Sequence, residues 1–166
     1  MRLFVAVWPS DDAVEELRAL RRKDQRGVRF TTPEQWHVTL RFFGDADPDR
    51  VSTALDDAFL PQCTARLGPG VDVKGERTVL VPVEGVDPLA AAVGEVTASI
   101  GEPVRPQFLG HLTLARLARG ATPPPVVGSY VWAEWPVDEI ALVRSRLGPE
   151  GSRYDTLATW PTSRSR

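Results

Sequence analysis

Apolar and polar positions change period several times along the chain, and each change marks an element. RLFVAVW, residues 2–8, is an unbroken apolar run of strand length rich in β-branched and aromatic residues, which predicts a buried strand. From Ser10 the period becomes helical: Val14, Leu17 and Leu20 recur three residues apart through Arg22. Ser10 is suited to cap that helix, and Asp11 and Asp12 to sit at its positive end. Gly27 ends it, and VRFTTPEQ leads into WHVTLRFFG, whose alternation predicts a strand over 36–43. Asp47 and Pro48 open a second helix with Val51, Leu55 and Phe59 as its stripe, stopped by Pro61. Residues 64–75 and 77–84 read as a strand pair. A third helix is expected from Asp87 to Ile100, with Leu89, Val93, Val96 and Ile100 on one face and Gly101 as terminator. HLTLARLA, from 111, is a further strand, ATPPPVVGS a proline-rich connection, and WPVDEIALVRSRLG with SRYDTLATW a closing hairpin around GPEG.

Two strands in this order read alike. HVTL begins at His37 and HLTL at His111, 74 residues apart, and these are the chain's two histidines. The separation is too long for a solenoid repeat and suits two related halves. The pattern predicts an α+β, bilobal fold: two pseudo-symmetric antiparallel β-sheet lobes facing a central cleft, with helices packed outside. Residues 1–166 are expected to form a single domain, each lobe contributing one of the two strands.

Composition narrows the function classes. With 42% hydrophobic and 25% charged residues the chain is globular, and no apolar run approaches the roughly 18 residues of a membrane span. The first ten residues lack a long apolar stretch and a small-residue cleavage site, so they read as a strand and not as a signal peptide. Cys63 is the lone cysteine, which rules out an internal disulfide and a multi-cysteine metal site and suits a cytoplasmic location. A net charge of −2 argues against a broad basic surface for long nucleic acid, while leaving room for a small phosphate-bearing ligand.

Residues two apart on a strand share a face, so His37 projects with Thr39 and His111 with Thr113, while Val38, Leu40, Leu112 and Leu114 face the core. Both histidines meeting Thr at +2 and Leu at +3 by coincidence is on the order of one in twenty thousand from composition alone. Duplication of a purely structural strand remains the alternative. Two facing imidazoles can supply one general base and one general acid, with hydroxyls holding the oxygens on which charge builds, a metal-free way to break a phosphoester. A metal site is disfavoured because neither motif has Asp or Glu at +2 or +4, and no cofactor loop of the G-x-G-x-x-G or Walker type is present. No G-x-S-x-G element points to a serine hydrolase. Arg41, at +4 from His37, shares that histidine's face in a regular strand. Phe42 alternates with Leu40 and reads as core, although an aromatic beside such a cleft can stack on a base. Tyr154 and Arg146, in the closing hairpin, lie within possible reach of the cleft rim.

The paired motifs His37-Val-Thr39-Leu and His111-Leu-Thr113-Leu resemble the 2H phosphoesterase superfamily. More narrowly, with RLFVAVWP, PEQWHVTLRFFG and the closing DEIALVRSRLGPEGSRYDTLATWP, the chain is similar to the bacterial RNA 2′,3′-cyclic phosphodiesterases, also described as 2′-5′ RNA ligases. The closing segment adds specificity, because superfamily members outside this branch do not generally share it. The resemblance implies a bilobal 2H phosphoesterase domain that hydrolyses a 2′,3′-cyclic phosphate to a 2′-phosphomonoester without metal or cofactor. It also implies the reverse joining of a cyclic end to a 5′-hydroxyl. Its substrates would be RNA ends or nucleotides bearing a 2′,3′-cyclic phosphate, with no membrane and no obligate protein partner.

By the same resemblance, His37 is the acid that protonates the departing 3′-oxygen, and His111 is the base that activates water. Thr39, Thr113 and Arg116 would hold the phosphate. Arg116 is five residues beyond His111, which in a regular strand is the wrong face, so its use requires a bulge, twist or curling side chain. The family usually has proline before the second histidine, where this chain has Gly110, a residue expected to loosen the backbone there. Two other readings remain: a cyclic phosphodiesterase acting on another small substrate such as an ADP-ribose cyclic phosphate, and a module that binds nucleotides or RNA ends without turnover.

Overall fold

The computed structural model describes residues 1–163. In chain order the elements are β1 (Arg2–Val7), α1 (Asp11–Arg18), β2 (Val28–Phe30), a 3-10 turn (Pro33–Gln35), β3 (Val38–Asp45), α2 (Pro48–Asp56), β4 (Cys63–Leu67) and β5 (Asp72–Lys74). There follow β6 (Thr78–Glu84), α3 (Asp87–Val96), β7 (His111–Leu117), β8 (Ala133–Val137), β9 (Glu139–Gly148) and β10 (Gly151–Pro161).

Local chemistry accounts for the helix starts. The Ser10 hydroxyl accepts the Ala13 amide at 3.2 Å at the head of α1, and Asp47 accepts the Asp49 amide at 2.9 Å before Pro48 opens α2. The helices are shorter than their apolar stripes predict. α1 ends at Arg18 because the next turns are the charged stretch RRKDQR, which has little to bury. α3 ends at Val96, which is exposed, and Ile100 reaches the core only through the turn after it.

The strands form one antiparallel path in the order β10-β9-β1-β3-β7-β6-β4-β8, with β2 added beside β7 and β5 beside β6. Four strands lie on each side of the β3–β7 junction, which is where the two motif strands meet. The expected lobes are therefore the two halves of a curled sheet, α+β in class. In the sheet the two halves are joined by a single register pair, Val38 opposite Leu112. The closing hairpin differs from expectation: residues 133–148 break at Asp138 into β8, which pairs with β4 at the far edge, and β9, which pairs with β1 and β10. The chain thus crosses from one half to the other at that residue. β2, too short and mixed to be read from the pattern, pairs with β7 beyond the point where β3 leaves it.

One face of the sheet carries a continuous core in which Leu3, Val5, Trp36, Phe43, Leu89, Leu112, Leu114 and Ile140 are all buried, under α1–α3. On the other face of β1 and β9 a smaller cluster of Phe4, Ala6, Ala141 and Val143 is overlaid by half-buried Trp8, Phe42 and Tyr154. That second face carries both histidines. Among the described residues no helix is long and apolar enough to cross a membrane.

Candidate active site

Each motif carries the same backbone irregularity. Along β3, Val5 pairs with Arg41 and Ala6 with Thr39, so Leu40 has no partner in β1. Along β7, Val79 pairs with Ala115 and Leu80 with Thr113, so Leu114 has no partner in β6. An extra residue reverses the in–out phase of a strand. In both motifs the histidine and threonine are half-buried and the +1 and +3 residues buried, but +4 then faces the core and +5 rejoins the histidine face. The +5 positions are Phe42 and Arg116, half-buried and exposed respectively.

This decides the two arginine expectations. The bulge needed to bring Arg116 onto the His111 face is present. Arg41 does not share the His37 face: it is 4% exposed, on the core side, with Nη2 donating to the carbonyls of Thr97 (3.2 Å) and Ile100 (2.7 Å) and Nη1 to that of Phe42 (2.8 Å). Its positive charge closes the carbonyl end of α3. Phe42, read as core from simple alternation, instead stands on the histidine face under the Arg2 guanidinium, 4.8 Å from ring centroid to Cζ. Arg146 makes an ion pair with Asp155 at 2.8 Å.

The two imidazoles are anchored identically. Nδ1 of His37 lies 2.7 Å from the Gln35 carbonyl, and Nδ1 of His111 lies 2.8 Å from the Leu109 carbonyl, in each case two residues upstream. A carbonyl only accepts, so each Nδ1 carries a hydrogen and each Nε2 is left to react. Around the Val38–Leu112 pair, His37 and His111 occupy diagonal positions of an antiparallel junction, which in a regular ladder lie about 7–8 Å apart. Thr31 ties the halves together: its hydroxyl donates to the Thr113 (2.9 Å) and Leu114 (3.0 Å) carbonyls and accepts the Trp36 indole N–H (3.1 Å), next to His37. The Leu114 carbonyl also accepts the Thr31 backbone amide at 2.9 Å.

Their surroundings differ. His37 is stacked on Phe4 (4.8 Å, 30°) and meets the edges of Tyr154 (5.1 Å) and Trp8 (6.0 Å). Its Nε2 lies 2.9 Å from the Thr39 hydroxyl, which donates to it when the ring is neutral. Burial among these rings holds His37 below the ordinary imidazole range, partly opposed by the Gln35 carbonyl and reinforced by the positive charge of His111 and Arg116. His111 has neither an aromatic neighbour nor a partner on Nε2 among the described residues.

Tyr154 therefore does reach the first histidine. Phe4, Trp8 and the Gln35 and Leu109 carbonyls were not singled out from the sequence. Phe4 and Trp8 sit at alternate positions of RLFVAVW, a signal hidden because that strand is apolar on both faces. Gly110 is not a point of slack. Its carbonyl accepts the Val83 amide at 2.9 Å, and a Cβ there would run into the Val83 carbonyl, so close strand approach requires glycine. Among the described residues no three His, Cys, Asp or Glu side chains come together as a possible metal site. A shallow hollow between α2 and α3, lined by Asp49, Arg50, Thr53 and Ser99, contains none of the motif residues.

Comparison with known proteins shows the family and the fold. Residues 7–59, which include the first motif, match the family described as LigT like Phosphoesterase. A Thermus thermophilus protein named RNA 2′,3′-cyclic phosphodiesterase is 31% identical, covering 95% of this chain and 88% of that one. A protein of the same name from Archaeoglobus fulgidus is 30% identical, covering 95% and 98%. A crystal structure from Thermus thermophilus superposes with a TM-score of 0.82 at 28% identity over 97% of each chain. Escherichia coli LigT complexed with 3′-AMP has the same fold, with a TM-score of 0.78 at 23% identity over 98% of each chain. The chain belongs to the LigT-like phosphoesterase family, the branch of 2H phosphoesterases to which these relatives belong.

Proposed function

We propose that this protein opens 2′,3′-cyclic phosphates on RNA ends or nucleotides, giving a 2′-phosphomonoester. The observation that carries this reading is the presentation of two Nε2 atoms, each fixed by an Nδ1–carbonyl bond, from diagonal positions about one strand pair, with Arg116 on the same face. Relatives named RNA 2′,3′-cyclic phosphodiesterase support the substrate class.

In the proposed reaction His111 Nε2 takes a proton from water, whose oxygen attacks phosphorus. The bond from phosphorus to the 3′-oxygen breaks, and His37 Nε2–H delivers a proton to that oxygen. Thr39, Thr113 and Arg116 hold the non-bridging oxygens, where charge grows. With a 5′-hydroxyl attacking in place of water, and the histidines in the same roles, the same groups join two RNA ends through a 2′-5′ bond as the 3′-oxygen leaves. The acid role requires His37 to be protonated when substrate is bound. A phosphate anion between the rings favours that state by offsetting the repulsion from His111 and Arg116. Tyr154 and Phe42 would flank the substrate on the His37 side.

The test is incubation with a 2′,3′-cyclic mononucleotide and identification of the product. A 2′-phosphate formed equally well in EDTA is expected. A 3′-phosphate product, or loss of turnover with EDTA, would contradict the mechanism. Ligand binding with no product after long incubation would leave a recognition module.

A further inference from the structure

A row of cations continues outward from the second motif. Register pairing places Lys74 opposite Thr78, Thr78 opposite Arg116, and Arg116 opposite Arg29, across β5, β6, β7 and β2. Directly opposed residues of antiparallel strands share a face, so all four side chains lie on the histidine side of the sheet. At about 4.8 Å per strand the row spans roughly 14 Å, longer than one phosphate needs. Lys74, Arg29 and Arg116 are exposed, and among the described residues none of the three has an ion-pair or hydrogen-bond partner. Arg77, beside them, is different: its Nε donates to the Leu117 carbonyl at 2.9 Å.

The position of Arg29 is supported from the opposite half of the molecule. Gly151, at the tip of the β9–β10 hairpin with φ +105°, lies against its guanidinium, and a Cβ there would run into Nη2. Any side chain at position 151 would displace the Arg29 guanidinium. Acidic groups nearby are Asp72, on the same face one row closer to the histidines, Glu76, in the β5–β6 turn, and Glu150, the residue before Gly151. The Asp72 carboxylate accepts its neighbour's amide from Val73 at 2.8 Å and makes no ion pair with the row. Three unpaired cations on one line, in a chain of net charge −2, fit a polyanion better than a mononucleotide.

We infer that Arg29 and Lys74, on either side of Arg116, form a track for the backbone phosphates of single-stranded RNA whose cyclic-phosphate end lies at the histidines. This rests on the function proposed above and narrows its substrate from nucleotides in general to RNA strands. The histidines and Arg116 then act on the terminal phosphate while Arg29 and Lys74 take phosphates upstream of it.

The experiment compares kcat/KM for a 2′,3′-cyclic mononucleotide and for a short RNA ending in a 2′,3′-cyclic phosphate. It uses wild type, Arg29→Gln and Lys74→Gln, between about 50 and 200 mM salt. With RNA, each variant is expected to lose about fivefold, through KM, and the salt slope to become shallower by roughly 0.7 per lost contact. With the mononucleotide, both variants should match wild type. Equal RNA kinetics in all three proteins, or equal losses on both substrates, would overturn the track while leaving the proposed function intact. If wild type opens neither substrate, the proposed function fails. The track is then judged by fluorescence anisotropy of the same RNA with a 2′-phosphate end, and undiminished binding by the variants refutes it.

Discussion

The two motif strands share a backbone plan and differ in what surrounds it. Each fixes its imidazole through an upstream carbonyl, each has an unpaired leucine at +3, and each uses that slip to bring its +5 residue to the histidine face. In the first half that residue is Phe42, and the histidine is packed among Phe4, Trp8 and Tyr154. In the second it is Arg116, and among the described residues no ring contacts the histidine. The two strands share a scaffold, and the difference at one equivalent position adds an aromatic ring to the histidine face in the first half and a cation in the second. A nucleotide phosphate has the same division, with a flat apolar base on one side and an anion on the other.

The largest expected effect treats the halves as equals. His37→Ala and His111→Ala should each lower kcat/KM on a cyclic mononucleotide by about 10²–10⁴-fold, despite their different surroundings. Near-normal turnover in either variant would mean that the cleft works with one imidazole and that the symmetry is only ancestral. The next contrast sets one arginine against the other. Arg116→Gln should cost about 10²-fold in rate with little change in melting temperature. Arg41→Leu leaves the Thr97, Ile100 and Phe42 carbonyls without their donor and should cost about 2–4 kcal/mol of stability, with turnover per folded molecule largely kept. Denaturant unfolding beside initial rates separates the two outcomes, and a reversed pattern would sink the assignment of faces.

How far this contrast could be read in advance depends on the bulges. The motifs, their core-facing leucines and the threonines beside the histidines, the helix caps and the α+β class all follow from local periodicity, which a single chain displays. A bulge depends on which neighbour a strand acquires, and no local pattern records that β1 would lie beside β3 or β6 beside β7. Strict alternation therefore placed Arg41 on the wrong face and Phe42 in the core, and made Arg116 an exception needing irregular backbone. The same reasoning applies to Gly110. Local chemistry reads glycine as freedom, whereas the approach of the Val83 carbonyl, from a strand 27 residues earlier, makes it a steric requirement.

The unequal burial of the histidines gives an effect of pH. With its folded pKa lowered, His37 binds fewer protons than in the unfolded chain, so stability should fall as pH drops below about 6.5 and through the folded value. His37→Gln should flatten that dependence in urea titrations. The same shift tests its role as acid. Because kcat/KM reports the free protein, it should decline as pH rises through the depressed His37 pKa, while kcat, which reports the complex, persists to higher pH. A kcat/KM that instead rises through that pKa would make His37 the base and His111 the acid.

The smallest expected effect concerns the tie between the halves. Thr31→Val keeps the shape of the side chain but removes the hydroxyl that bridges the Trp36 indole to the Thr113 and Leu114 carbonyls. Trp36 is fully buried, so its unpaired N–H should cost about 1–3 kcal/mol of stability. Because Thr31 contacts one motif directly and the residue before His37 in the other, its loss should also relax the spacing of the imidazoles. A misplacement of this kind is expected to lower kcat by up to about tenfold with KM little changed. Thr31→Ser restores the hydroxyl and should recover both kcat and the Trp36 indole N–H resonance. A Thr31→Val protein that is less stable yet turns over normally when folded would show that the two halves keep their spacing without the Thr31 hydroxyl.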